Sequence, residues 1–334
     1  MATTSGTVGT TQIDVSNLIE HSFRRCGKLA STISAELQLS AKENLFFLLS
    51  DLANRGRSLW CVQKTVLGVT ANQIVYNMPV GTVDVYSAMY RTKTDVAGTV
   101  ISGVGWQGLD LGSTNLQAIA TISVAFTAAY SGTLVVEYSA DLITWVQGAS
   151  LNAGLSYVAG AWICGDVENS VISQYWRIRD TSGILPTVTT LNLSILPKDL
   201  LIGKMSNDDY VSLPNKTQTG ARALQYFYDK QINPRIWVWP ASNASTDQIV
   251  IWTQRQIQDI GSLSNKVEIP QYWLESIIMT LACRCALELP VGELPEGRYE
   301  LLKAEAAERL AQAEDSQSDG SPIRISPRIS GYTR

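Results

Sequence analysis

The side chains able to do chemistry in this sequence are few. His21 is the single histidine, so a site needing two imidazoles is excluded and a nucleophilic triad has one candidate base. The five cysteines are Cys26, Cys61, Cys164, Cys283 and Cys285, an odd set without a CxxC pair. That pattern suits reduced core thiols made in a cytoplasm better than a disulfide framework or a zinc clip. His21 and Cys26 stand five apart, well over one helical turn, which leaves a Cys–His dyad divergent and makes His21 a helix-surface or interface residue. Gly103-Val-Gly105-Trp-Gln-Gly108 has the spacing of a dinucleotide-binding loop, but the sequence runs on through Asp110 and Gly112 into β alternation, so it reads as a glycine-rich loop. Asp208-Asp209 reads as a pair of solvated turn acids, because a glycosidase pair is defined by a separation in space. No catalytic group, metal or cofactor is expected, and no enzymatic activity.

The nine tryptophans are the other chemical resource, since aromatic rings on a β-sandwich either stack on sugar rings or fill the core. Trp176 alternates with Ile178 and reads as core. Trp106, in the glycine-rich loop, and Trp145, at the end of a strand, are the candidates for an exposed glycan platform.

The elements that must position these residues follow from pattern. The chain has 334 residues, 45% apolar and 17% charged, with a net charge of -4; this is a core-forming composition with no global basic field to hold nucleic acid. Neither a signal peptide nor a membrane span is read. A helical pattern runs from Ile13 to Ile33, and Ser40-Ala-Lys-Glu43 reads as the capping box of a second helix carrying Leu45, Leu48, Leu49 and Leu52. Short strands follow, then a Lys-poor stretch rich in Gly, Ser and Thr with alternating strands, then more strands. Pro270 and Pro295 open two closing helices.

The expected class is therefore α+β: a helical bundle from the N- and C-terminal helix pairs, a small β domain, and an inserted β-sandwich of jelly-roll type. The expected division is a flexible 1–12, bundle halves at 13–59 and 266–315, a small β domain from 60–94 and 198–265, an inserted sandwich at 95–197, and an extended tail at 316–334. In that tail Ile323, Ile325, Ile329 and Tyr332 alternate with Arg324 and Arg328, which favours docking as a strand on a partner over a free tail.

Several pieces recur in order: Leu45-Phe-Phe-Leu-Leu-Ser-Asp-Leu52 leading to Ser58-Leu-Trp60, Tyr76-Asn-Met-Pro79, Tyr210-Val-Ser-Leu-Pro-Asn-Lys216, Tyr226-Phe-Tyr-Asp-Lys-Gln231, Trp237-Val-Trp-Pro240, Pro270-Gln-Tyr-Trp273 and Ile325-Ser-Pro327 to Tyr332. On these the chain resembles the head-to-tail adaptors of podovirus-type tailed bacteriophages, the tail accessory factors and tail tubular A-type proteins. The insert resembles a discoidin-type, galactose-binding-like jelly roll through Val135-Val-Glu-Tyr-Ser139, Asp141, Thr144-Trp145 and Gln174-Tyr-Trp-Arg-Ile178, with Leu142 in place of the usual glycine.

The resemblance implies a structural virion protein of the neck, assembled in the host bacterial cytoplasm. It would form a ring, of twelve copies, between the portal protein and the tail nozzle or tube, with DNA passing through the channel unbound and no membrane involved. Portal and neighbour contacts would fall on Ile323, Arg324, Ile325, Arg328, Ile329 and Tyr332. Tail-side contacts would fall on Tyr226, Tyr228, Trp237 and Trp239, for which a place in a domain core stays open. The insert would touch capsid or fibre proteins. The competing expectation is a virion-anchored carbohydrate-binding or adhesion module working through the insert, and a third is a wall-degrading enzyme using buried carboxylates.

Overall fold

The computed structural model describes residues 13–54, 59–114, 116–151, 157–167, 171–244, 247–257, 261–290 and 292–316. They form helices α1 (Val15–Arg25), α2 (Ala35–Asn54), α3 (Asn207–Ser212), α4 (Gln271–Ala286) and α5 (Arg298–Ser316). The strands begin with β1 (Val62–Gly68), β2 (Val75–Asn77), β3 (Thr82–Val96), β4 (Thr99–Gly103), β5 (Trp106–Asp110), β6 (Gln117–Ala118), β7 (Thr121–Phe126), β8 (Leu134–Ser139) and β9 (Val146–Leu151). They continue with β10 (Trp162–Asp166), β11 (Ile172–Ser173), β12 (Tyr175–Asp180), β13 (Val188–Lys204), β14 (Thr219–Gly220), β15 (Gln225–Asp229), β16 (Arg235–Trp239), β17 (Ala241–Ser242) and β18 (Gln248–Arg255).

Two compact units result: residues up to Cys61 join those from Ile257 onward, and Val62–Gln256 form the second unit. In the first, Leu18, Ile19 and Phe23 of α1 pack with Leu45, Leu48 and Leu52 of α2 and with Trp273, Ile277 and Leu281 of α4. Helix α1 ends at Arg25, well before Ile33, because Gly27 takes φ +92° and the chain turns away. Helix α2 starts at Ala35, not beside Ser40: the Ser34 hydroxyl accepts the Leu37 N–H at 3.2 Å, while Ser40 lies inside the helix and donates to Glu288. The solvent face of α2 carries Leu39, Phe46 and Phe47, all exposed. No helix among the described residues is long and apolar enough to cross a membrane.

The second unit overturns the expected α+β class based on a helical bundle. Eighteen strands stand against five α-helices among the described residues, and a β-ring with a sandwich layer, not a bundle, is the body of the chain. A nine-stranded sheet runs β2-β16-β15-β13-β3-β18-β1-β10-β7, and β7 pairs back onto β13, so β13, β3, β18, β1, β10 and β7 close a ring. The expected small β domain and inserted sandwich are thus one hydrogen-bonded fabric. The composition changes near 95 and 197 fall inside strands β3 and β13, where alternation simply continues, instead of in linkers. Strand β13 pairs with β7 along Val188–Ser194 and with β3 along Leu193–Ile202, with a bulge between Ile195 and Lys198.

The second layer is a five-stranded sheet, β4-β5-β12-β8-β9. Its inner residues Leu109, Leu134, Val136, Trp176 and Ile178 pack on Ile122, Val124 and Phe126 of β7, Ile163 of β10 and Leu193 of β13. A further core, Tyr90, Ile202, Tyr226, Tyr228, Ile236 and Ile251, covers another side of the ring. On the opposite side of β3 from Tyr90, Arg91 is buried and donates to Asp199 of β13 at 2.6 and 2.8 Å and, across the ring, to Asp166 of β10, which also receives Lys64.

Candidate functional site

Strand β12 determines the site. Its alternation sends Trp176 and Ile178 into the sandwich core and Tyr175, Arg177 and Arg179 to the outer face of the five-stranded sheet. Register then chooses their neighbours. Arg177 lies between Gly108 of β5 and Glu137 of β8, and Arg179 lies beside Trp106.

Two local devices deliver the tryptophans to this face. Trp106 follows the tight Val104-Gly105 turn, where Gly105 takes φ +73°, and its ring lies over Gly103; a Cβ there would stand 2.4 Å from Trp106 Nε1. The glycine-rich stretch thus serves a β-hairpin. Trp145 ends a turn organised by Asp141, whose Oδ1 accepts the N–H groups of Ile143 at 2.9 Å and Thr144 at 2.8 Å and the Ser139 hydroxyl at 2.9 Å. These bonds, the backbone ones first, hold the exposed Asp141 carboxyl down to a pKa of about 2. Leu142 takes the left-handed conformation, φ +64°, that the turn requires, and Trp145 Nε1 donates to its carbonyl at 3.3 Å.

The rings of Trp106 and Trp145 meet with centroids 5.8 Å apart and planes inclined at 48°. The Arg177 guanidinium lies against both, 3.9 Å from the Trp145 centroid and 5.1 Å from that of Trp106. Its side chain is 13% exposed, whereas both tryptophans remain partly open to solvent. Glu137, 8% exposed, binds both arginines: Arg177 Nε at 2.7 Å on one oxygen, Arg179 Nε and Nη2 at 3.0 and 2.8 Å on the other. Burial alone raises the Glu137 pKa, and the bonds from Arg179 and Arg177 more than reverse it, leaving it below its ordinary value. The hydrogen bond with Glu137 raises that of Arg179. A general acid needs a shift in the other direction, so neither Glu137 nor Asp141 is tuned for that role.

The platform residues foreseen from sequence, Trp106 and Trp145, are therefore brought together. Arg177, Arg179 and Glu137 were not foreseen; the signal was there in the alternation of Tyr175-Trp-Arg-Ile-Arg179 and Val135-Val-Glu-Tyr-Ser139, which places like-facing polar residues on paired strands. Of the tail-side group, Tyr226 and Tyr228 are 1% and 4% exposed and sit in a core, so they do not present an interface; alternation on β15 turns them inward, and Tyr228 donates to the Thr82 carbonyl at 2.8 Å. Trp237 and Trp239 are partly exposed, Trp237 against Tyr210 and Trp239 donating to the Asn215 carbonyl at 2.9 Å. Ile323, Arg324, Ile325, Arg328, Ile329 and Tyr332 lie outside the described residues.

Other candidates disperse. His21 is on the open side of α1, while the Cys26 thiol donates to the Ala282 carbonyl at 3.3 Å and is pushed up to about 11, chiefly by burial. Burial likewise takes Cys164 and Cys285 to about 12. Asp209 forms a capping box with Ser206 at the start of α3. A hollow of about 250 Å³ lies beside the Asp141 turn, between Tyr138, Val146 and Ile172.

Comparison with known proteins gives only faint structural similarity. No family model matches the chain, and no curated protein matches it in sequence. Among solved structures, CBM32-1 from a family 31 glycoside hydrolase of Clostridium perfringens is 12% identical over 40% of this chain and 94% of its own, with a TM-score of 0.23. The CBM32 of AlyQ, in complex with 4,5-unsaturated mannuronic acid, is 16% identical over 34% of this chain and 96% of its own, with a TM-score of 0.18. A glycoside hydrolase is 21% identical over 26% of this chain and only 18% of its own length, with a TM-score of 0.20. At such scores the likeness carries no argument, and the functional reading rests on the site.

Proposed function

We propose that this protein binds carbohydrate through the outer face of its five-stranded sheet. The observation that carries the reading is the Trp106–Arg177–Trp145 cluster: two partly exposed indoles, fixed from below by a guanidinium held by Glu137. Indole faces stack on the C–H faces of sugar rings, and a ring fixed before binding loses little entropy on contact. The helical unit would then serve to anchor the sandwich in a larger assembly. The test is a glycan array probed with the full chain. A glycan retained by the wild type and lost by Trp106→Ala and Trp145→Ala supports the reading; retention by both variants overturns it.

A second reading, the portal-bound adaptor ring implied by the resemblance, is favoured by the exposed Leu39, Phe46 and Phe47 on α2, an apolar helix face of the kind that assembly covers. Mixing the chain with a portal ring and imaging the mixture without imposed symmetry tests it. A stacked second ring is the expected result, and bare portals beside free chains would remove the reading.

A further inference from the structure

We infer that the ligand of this platform is an acidic saccharide, one whose sugar units carry carboxylates, and that Arg179 is the residue that pairs with the charge. This rests on the carbohydrate reading and specifies its ligand. The argument is one of donor and acceptor supply. A neutral sugar presents hydroxyl groups that both donate and accept, and it is best met by a mixture of acceptors and donors.

Between the two arginines the carboxylate acceptor is already occupied. Glu137 gives one oxygen to Arg177 and the other to Arg179, and Asp141 spends its Oδ1 on two backbone N–H groups and a hydroxyl. What stays open beside Trp106 is the donating edge of Arg179. Two guanidiniums share one carboxylate, so the Arg177–Glu137–Arg179 group carries one positive charge.

The two arginines are not equivalent. Arg177 is covered by the rings, while the Arg179 side chain is 37% exposed and stands beside Trp106 in register. Its Nε and Nη2 face Glu137, which leaves Nη1 as the edge for an incoming anion. A carboxylate at that edge would place its own sugar ring next to the Trp106 indole, so stacking and ion pairing would act on one residue of the ligand. Removing Arg179 leaves Glu137 paired one-to-one with Arg177, so the fold has no reason to fail.

The experiment compares uronic-acid oligosaccharides (galacturonate, glucuronate and mannuronate series) with their methyl esters, which keep the ring and remove the charge, by titration calorimetry on the full chain at low and high salt. At least one acid should bind about tenfold more tightly than its ester, the value of a charge-assisted hydrogen bond, and added salt should reduce that margin. Arg179→Gln should abolish the margin by weakening the acid far more than the ester, whereas Trp145→Ala should weaken both alike. Equal binding of acid and ester, or binding of neutral glycans alone, overturns the acidic ligand and leaves the platform standing. Binding of no saccharide removes both.

Discussion

The Arg177 guanidinium stacks on one tryptophan at 3.9 Å and is bonded through its edge to a nearly buried carboxylate. Arg177→Ala should therefore cost stability as well as ring order, about 1–2 kcal/mol for the lost charged hydrogen bonds and ring contacts, since Glu137 keeps Arg179, seen as a lower urea midpoint. Leu142 argues in the opposite direction. An exposed leucine held at φ +64° carries a backbone penalty that glycine avoids, so Leu142→Gly should stabilise the protein by about 1 kcal/mol, measured as a rise in melting temperature. The Asp141 turn was legible from Asp141, Thr144 and Trp145, although Leu142 cast doubt on its geometry. Arg177 and Glu137 were not legible, because their meeting depends on the register of strands 40 residues apart in sequence.

At the scale of elements, the hairpin of β4 and β5 holds Trp106 flat because Gly103 leaves room beneath it. Gly103→Ala puts a methyl 2.4 Å from the indole nitrogen, so it should displace the ring and weaken glycan binding while far-ultraviolet circular dichroism stays unchanged. Retained affinity with an unmoved indole would show that the close approach does not fix the ring. Helix α3 depends on its capping box, and Ser206→Ala should cost about 1 kcal/mol. The helix positions opened by Pro270 were readable because proline and apolar spacing agree locally. The start of α2 was misread because Ser40 and Glu43 satisfy the capping pattern by sequence alone, while the hydroxyl that accepts the N–H is that of Ser34.

Across the whole molecule, the ring closed by β7 on β13 was out of reach of local pattern. Its pairings join Thr121–Phe126 to Val188–Ser194 and Val62–Gly68 to Gln248–Gln254, and nothing in either partner alone announces the other. The composition shifts at 95 and 197 suggested separate domains, yet long strands cross both. One consequence concerns pH. Asp84, Glu137, Asp180 and Asp199 all belong to the Val62–Gln256 unit and all have lowered pKa values; burial opposes the shift, strongest for the first three, while Arg91 leads for Asp199. A depressed folded pKa contributes stability above the unfolded value, about 4 for carboxylates, and that contribution is lost as pH falls through the folded value. Calorimetry at descending pH should show the transition of this unit moving to lower temperature below about pH 4; a transition insensitive to acid would contradict the pairing described.

The measurement that bears most directly on the central claim is a structure of the full chain with the tightest saccharide from the array. The sugar ring should lie against the indoles of Trp106 and Trp145 at contact distances of about 3.5–4 Å, with its polar groups toward Arg179. A sugar seated in the hollow beside Tyr138 and Ile172, or anywhere else away from the two indoles, would contradict the account.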